Sequence, residues 1–191
     1  MSNEKSSEHY NDKRLGFFIY LIVESVMFAT LFATYFVFTS EQSTPSPTDV
    51  FEAKSVIISS FVLVLSSATL LISEKGLSNK SPRLIVLGLV ITFLLGLGFV
   101  GIEIREFFTY INEGYTLTTN VFLSSFYVLV GLHAAHVLFG TIWMILLFYQ
   151  LMANIPFSLY VEKQRIFHYY WHFVDLIWVC IVIFVYKPYL F

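Results

Sequence analysis

Apolar residues gather into five long runs, at about 15–39, 55–73, 84–102, 121–148 and 167–186, with short polar breaks between them. Each run approaches or exceeds the roughly 20 residues that an α-helix needs to cross about 30 Å of hydrocarbon. The breaks are rich in turn residues and charge: 40–49 holds Pro45 and Pro47, 74–82 holds Gly76, and 150–164 holds Pro156. The remaining break, 103–120, opens on Glu103, Arg105 and Glu106. This pattern predicts an all-α integral membrane bundle of five transmembrane helices, built as one membrane domain over residues 1–191. The fourth run is overlong for a perpendicular crossing, so it is expected to tilt or to project beyond the membrane surface.

Composition agrees. Of 191 residues 57% are hydrophobic and 13% charged, against about 25% charged residues in soluble domains; the mean hydropathy is +0.74. A formal net charge of −2 carries no footprint for nucleic acid or another polyanion. The single cysteine, Cys180, lies in an apolar run and cannot pair within one chain. Glu4, Glu8 and Asp12 are out of place in a cationic leader, so the first run is expected to be a retained span.

Orientation is read from lysine and arginine. One side of the predicted bundle receives Lys5, Lys13, Arg14, Lys75, Lys80, Arg83, Lys163 and Arg165; the other receives Lys54, Arg105 and Lys187. The bias predicts a cytoplasmic N-terminus and an outside C-terminus. Small residues at helical spacing, Ser25/Ala29/Ala33, Thr92/Gly96 and Gly131/Ala135, mark faces where helices can approach closely.

Polar groups inside the spans carry the chemistry. An Asp at the centre of an isolated span costs about 2.5 to 3.5 kcal/mol, so such groups require partners on neighbouring helices. Asp175 and His172 lie in the last run, His133 and His136 in the fourth, and Glu24 in the first. At 1.5 Å per residue Glu24 lies roughly 13 Å below the cytoplasmic surface, nearly level with Asp175. A belt of Glu24, His136, His172 and Asp175 is therefore expected at one depth. Glu24 has two readings, a carboxyl bonded to a neighbouring helix or a participant in proton movement or lipid contact. The pairs His133/His136 and His168/His172 have helical metal-ligand spacing, yet no carboxylate sits beside them as a metalloprotease pattern requires; interhelical hydrogen bonding is the preferred reading. Glu103, Arg105 and Glu106 are read as a solvated ionic rim. The aromatic rings, Trp143, Trp171 and Trp178 among them, suit interfacial anchoring or helix packing. No nucleophile set or phosphate loop is present in the sequence, so independent catalysis and a metal site are not predicted.

Four blocks, in order, cover nearly the whole chain: 15–21 running into Glu24 and 31–35; 98–107 (GFVGIEIREF); 125–137 (SFYVLVGLHAAHV); and 170–178 (YWHFVDLIW). Together they resemble subunit III of the heme-copper respiratory oxidases, in the shorter bacterial form that lacks the first two helices of the mitochondrial subunit. The resemblance implies a helical helper subunit in the bacterial plasma membrane, with no cofactor of its own, beside catalytic subunit I and subunit II, which hold heme and copper. The complex would reduce oxygen to water with electrons from cytochrome c or quinol. It further implies that Glu24 matches the acid that reacts with hydrophobic carbodiimides, that the chain sustains proton uptake by its neighbour, and that bound phospholipid accompanies it. His133, His136, His168, His172, Asp175, Glu103 and Glu106 would then serve as interhelical or lipid-contact polar groups. A different reading of the polar belt is an independent proton-coupled transporter or membrane metalloenzyme.

Overall fold

The computed structural model describes the backbone at 2–39, 52–153 and 155–190, and the side chains at 13–39, 52–153 and 155–189. The break at 40–49 with Pro45 and Pro47, the side chains of Glu4, Lys5, Glu8 and Asp12, and Asn154 lie outside the described residues. Helix α1 spans Ser2–Thr39, α2 Ala53–Ser78, α3 Pro82–Asn112, α4 Val121–Met152 and α5 Phe157–Ile181. The chain continues from α5 through a π-helical turn, Val182–Tyr186, into a last short helix α6, Lys187–Leu190. Among the described residues five helices are long and apolar enough to cross a membrane.

Two helices outrun the lengths read from hydropathy. Helix α3 continues ten residues past 102, because Glu103, Glu106 and Tyr110 turn inward while Ile104, Phe108 and Ile111 face out. Helix α5 starts ten residues before 167, with Tyr160, Gln164, Phe167, His168 and Trp171 inward at helical spacing. The charged residues that end a hydropathy window thus sit on turns that are still helical and still packed. Pro82 opens α3 at its first position, where its missing N–H costs nothing. Asn120 caps α4, its Oδ1 accepting the Leu123 N–H at 2.7 Å.

The closest packing joins α2 to α3. At Gly76 a Cβ would stand 2.6 Å from the Ile85 nitrogen, and at Gly88 it would run into the Ser73 backbone. Between the same helices Thr69 and Thr92 share a 2.9 Å hydroxyl contact. Helix α4 packs on α3 and α5, and α5 also lies along α2. Helix α1 is the outermost: it touches α4 and α5, and of its described residues only Phe28 and Tyr35 are buried.

Lipid offers apolar side chains as good a medium as another helix, so interhelical stability comes from close van der Waals fit and interhelical hydrogen bonds. Trp171 supplies both. Its ring on α5 lies between Gly96 of α3 and Gly140 of α4, where added Cβ atoms would stand 2.9 and 2.7 Å from it. Its indole N–H donates to Ser66 Oγ of α2 at 3.0 Å. The close approach expected at Thr92/Gly96 is present. That expected at Gly131 is not, since a Cβ there would meet only Phe107 at 3.7 Å, and Ala135 is exposed. Ser25, Ala29 and Ala33 all face outward, and Ser25 bonds its own helix at Leu21 O.

Candidate functional site

Glu24 and His136 meet where α1 crosses α4. Nε2 of His136 lies 3.2 Å from Glu24 Oε2, and Nδ1 lies 2.8 Å from the Leu132 carbonyl one turn earlier. A carbonyl oxygen only accepts, so Nδ1 carries a hydrogen and Nε2 is left to Glu24. A neutral Glu24 donates to a bare Nε2; an ionised Glu24 accepts from a protonated one. In both arrangements one proton occupies the contact, so the pair can pass it between carboxyl and imidazole without losing the bond. Phe28 packs on the imidazole with ring centres 5.2 Å apart. Tyr170 of α5 donates to the His136 carbonyl at 2.9 Å.

A cavity of about 220 Å³ opens beside this pair, lined by Tyr20, Leu132, Ala135, His136, Phe139 and Tyr170. Its wall is mostly aromatic and aliphatic. Of the pair, His136 lines this cavity directly.

The second polar cluster lies between α2 and α5. Ser67 donates to Asp175 Oδ2, and its hydroxyl lies 3.4 Å from His172 Nδ1. His172 Nδ1 is 3.9 Å from the same carboxylate oxygen, and the His172 ring is partly exposed on the bundle surface. Ser67 is one rung of a ladder: Trp178 Nε1 donates to Ser60 at 3.1 Å, Trp171 to Ser66, and the Gln164 amide to Ser73. The residues expected to form one level belt are thus divided between two helix pairs. Glu24 meets His136, Asp175 meets Ser67 and His172, and no hydrogen bond or ion pair joins the two sets among the described residues. Helical rotation explains the division, since His136 faces α1 while His172 and Asp175 face α2.

The solvated-rim reading of Glu103 and Glu106 is overturned. Glu103 is 1% and Glu106 6% exposed, while Arg105 is on the outer face. Glu106 accepts from Ser55 of α2 at 2.9 Å and from Tyr110 one turn on. Neither oxygen of Glu103 has a hydrogen-bond partner, Ser59 having turned its hydroxyl to the Val56 carbonyl. His133 is fully buried, stacked on Trp178 at 5.2 Å and met edge-on by Phe99, with neither ring nitrogen hydrogen-bonded. His168 is buried too, and its Nε2 is unpaired. No three His, Cys, Asp or Glu side chains converge among the described residues.

The family model of cytochrome c oxidase subunit III matches the chain over residues 6–188. The chain belongs to the cytochrome c oxidase subunit III family. Its relatives include the quinol oxidase subunit 3 of Bacillus spizizenii, 41% identical over 168 residues, covering 87% of this chain and 82% of the relative. The cytochrome bo(3) ubiquinol oxidase subunit 3 of Buchnera aphidicola is 38% identical over 179 residues, 93% and 92% of the two chains. The cytochrome c oxidase subunit 3 of Bacillus sp. PS3 is 39% identical over 177 residues, 92% and 85%. In this member of the subunit III family the sequence reading had missed Ser67, Gln164, Gly140 and Tyr110. The first two are ordinary polar residues whose role depends on which helix they face. Tyr110 had a usable signal, its spacing of four from Glu106.

Proposed function

We propose that this chain is the non-catalytic third subunit of a proton-pumping heme-copper terminal oxidase, in a bacterial plasma membrane with its N-terminus cytoplasmic. It docks against catalytic subunit I and subunit II, which hold the heme and copper, and carries no redox centre itself. The complex reduces oxygen to water with electrons from cytochrome c or quinol. The observation that carries this reading is the nearly end-to-end likeness to relatives named as subunit 3 of such oxidases. The orientation rests on the lysine and arginine bias.

Within the complex the chain supports the stability and proton uptake of the catalytic subunit. Glu24 is its proton-related, carbodiimide-reactive carboxyl. Its support is the geometry with His136: a 3.2 Å contact between carboxyl and imidazole across two helices, beside a cavity walled mostly by aromatic and aliphatic side chains. His133, His168, His172, Asp175, Glu103 and Glu106 serve as interhelical or lipid-contact groups, and phospholipid accompanies the subunit.

An affinity tag on this chain tests the reading. The expected result is a heme absorption spectrum and oxygen consumption that co-purify with the tag in constant ratio. Purification of the chain alone, with stoichiometric metal or with transport activity after reconstitution, would replace it with a transporter or metalloenzyme.

A further inference from the structure

At the end of the bundle where α2 begins and α3 finishes, a cavity of about 410 Å³ opens between the two helices. It is distinct from the Glu24 site, which lies between α1 and α4. Its wall carries both signs of charge: Lys54 and Arg105, Glu52 and Glu106. Among the described residues no ion pair joins these cations and acids. Glu106 is a fixed acceptor, held by Ser55 and Tyr110, and each carboxylate oxygen keeps a second lone pair for another donor. Glu52, Lys54 and Arg105 are exposed. Below them Ile58 and Ile102 line the same cavity. On the adjoining outer surface Ile57, Ile104 and Phe108 face out.

We propose that this cavity holds the headgroup of a zwitterionic phospholipid with a primary ammonium, Lys54 and Arg105 taking the phosphate and Glu52 and Glu106 the ammonium. Three features select that chemistry. The four charges balance, which fits a neutral zwitterion and disfavours a net-anionic lipid that would leave the two acids opposed to its charge. Arginine and carboxylate are strong partners for phosphate and ammonium respectively, and a primary ammonium donates hydrogen bonds that a trimethylated one cannot. The cavity also sits at the boundary of the apolar runs, since its lining clusters where the second run begins, at about 55, and where the third ends, at about 102. A headgroup there leaves its acyl chains beside the isoleucines.

The test uses the protein in the assembly that its tag brings out, exchanged into nanodiscs of phosphatidylethanolamine, phosphatidylcholine or phosphatidylglycerol. Lipid retained after detergent extraction is counted by native mass spectrometry. The native chain should hold one phosphatidylethanolamine more firmly than either other lipid. Lys54→Gln with Arg105→Gln should weaken that retention about tenfold or more, as expected for losing two charge-assisted contacts. Glu52→Gln, at an exposed position, should narrow the preference for ethanolamine over choline. Equal retention by the native and doubly substituted chains would overturn the proposal. So would phosphatidylglycerol binding as firmly as phosphatidylethanolamine. Displacement of the lipid by equimolar soluble phosphoethanolamine would assign the cavity to a free solute and overturn it as well. These readouts count lipid and do not depend on oxidase activity, so they separate this site from the assignment of the whole chain.

Discussion

Gly140 on α4 lies flat against the ring of Trp171 on α5, so close that a Cβ would stand 2.7 Å from Cζ3. Gly96 flanks the same ring from α3. In a medium where burial itself gives little, this contact is a principal fastening of three helices. Gly140→Ala is expected to lower stability by about 1 to 3 kcal/mol, the usual cost of overpacking a filled core. Gly101→Ala, at a helix-interior position with nothing within 4 Å, should leave it unchanged or raise it by up to about 1 kcal/mol. Thermal unfolding in detergent, followed for both variants, makes the comparison.

Replacing Glu24 by Gln should keep the contact to His136 while removing the reactive acid. Labelling of this chain by a hydrophobic carbodiimide should disappear, with assembly largely intact. Mass spectrometric mapping of the label decides it; undiminished labelling in the variant would place the reactive carboxyl elsewhere.

Ser67 and Asp175 form the hydrogen bond in the α2–α5 ladder that engages a carboxyl. A double-mutant cycle with Ser67→Ala and Asp175→Asn should give a coupling of about 0.5 to 2 kcal/mol, within the range known for interhelical hydrogen bonds in membranes. Denaturation in mixed micelles measures it. A coupling near zero would show the two groups to be independent.

The ends of α2 and α3 close in the same way with different residues. After α2 the Ser81 N–H reaches back to Gly76 O at 2.9 Å and Lys80 adopts φ 50°. After α3 the Tyr115 N–H reaches Tyr110 O at 2.8 Å and Gly114 adopts φ 90°. The left-handed position suits glycine, and a lysine there is strained by about 1 kcal/mol. Lys80→Gly should therefore raise stability by up to about 1 kcal/mol, and Gly114→Ala should lower it by a similar amount. Thermal midpoints that moved the other way would contradict the motif.

The five spans were legible because hydrophobic length is a strong signal, and charge did not obscure where they lie. Their ends were less so. Mean hydropathy falls at Glu103 and across Glu162, Lys163 and Arg165, yet the helices continue there with one buried face and one polar or lipid-facing one. Glu103 and Glu106 were misread for that reason: a window averages over faces, and burial does not. Counting residues from each span's end placed Glu24 and His136 at matching depth, and the structure brings them together. Depth alone could not separate His136 from His172, because which neighbour a side chain meets depends on the rotation of each helix. The serine partners of Trp171, Trp178, Gln164 and Asp175 were hidden for the same reason, since serines are common and their spacing on α2 shows no preference for one neighbour.

The ladder on α2 has a mechanical consequence. Ser60 meets Trp178 at one end of the ladder, the adjacent Ser66 and Ser67 meet Trp171 and Asp175 in the middle, and Ser73 meets Gln164 at the other end, so a shift of α5 by a single turn would unmatch all four rungs together. The two antiparallel helices therefore share one vertical setting, like a toothed rack engaged at four points. A neighbouring subunit that pulled on α5 would have to carry α2, and through it the tightly crossed α3, along with it.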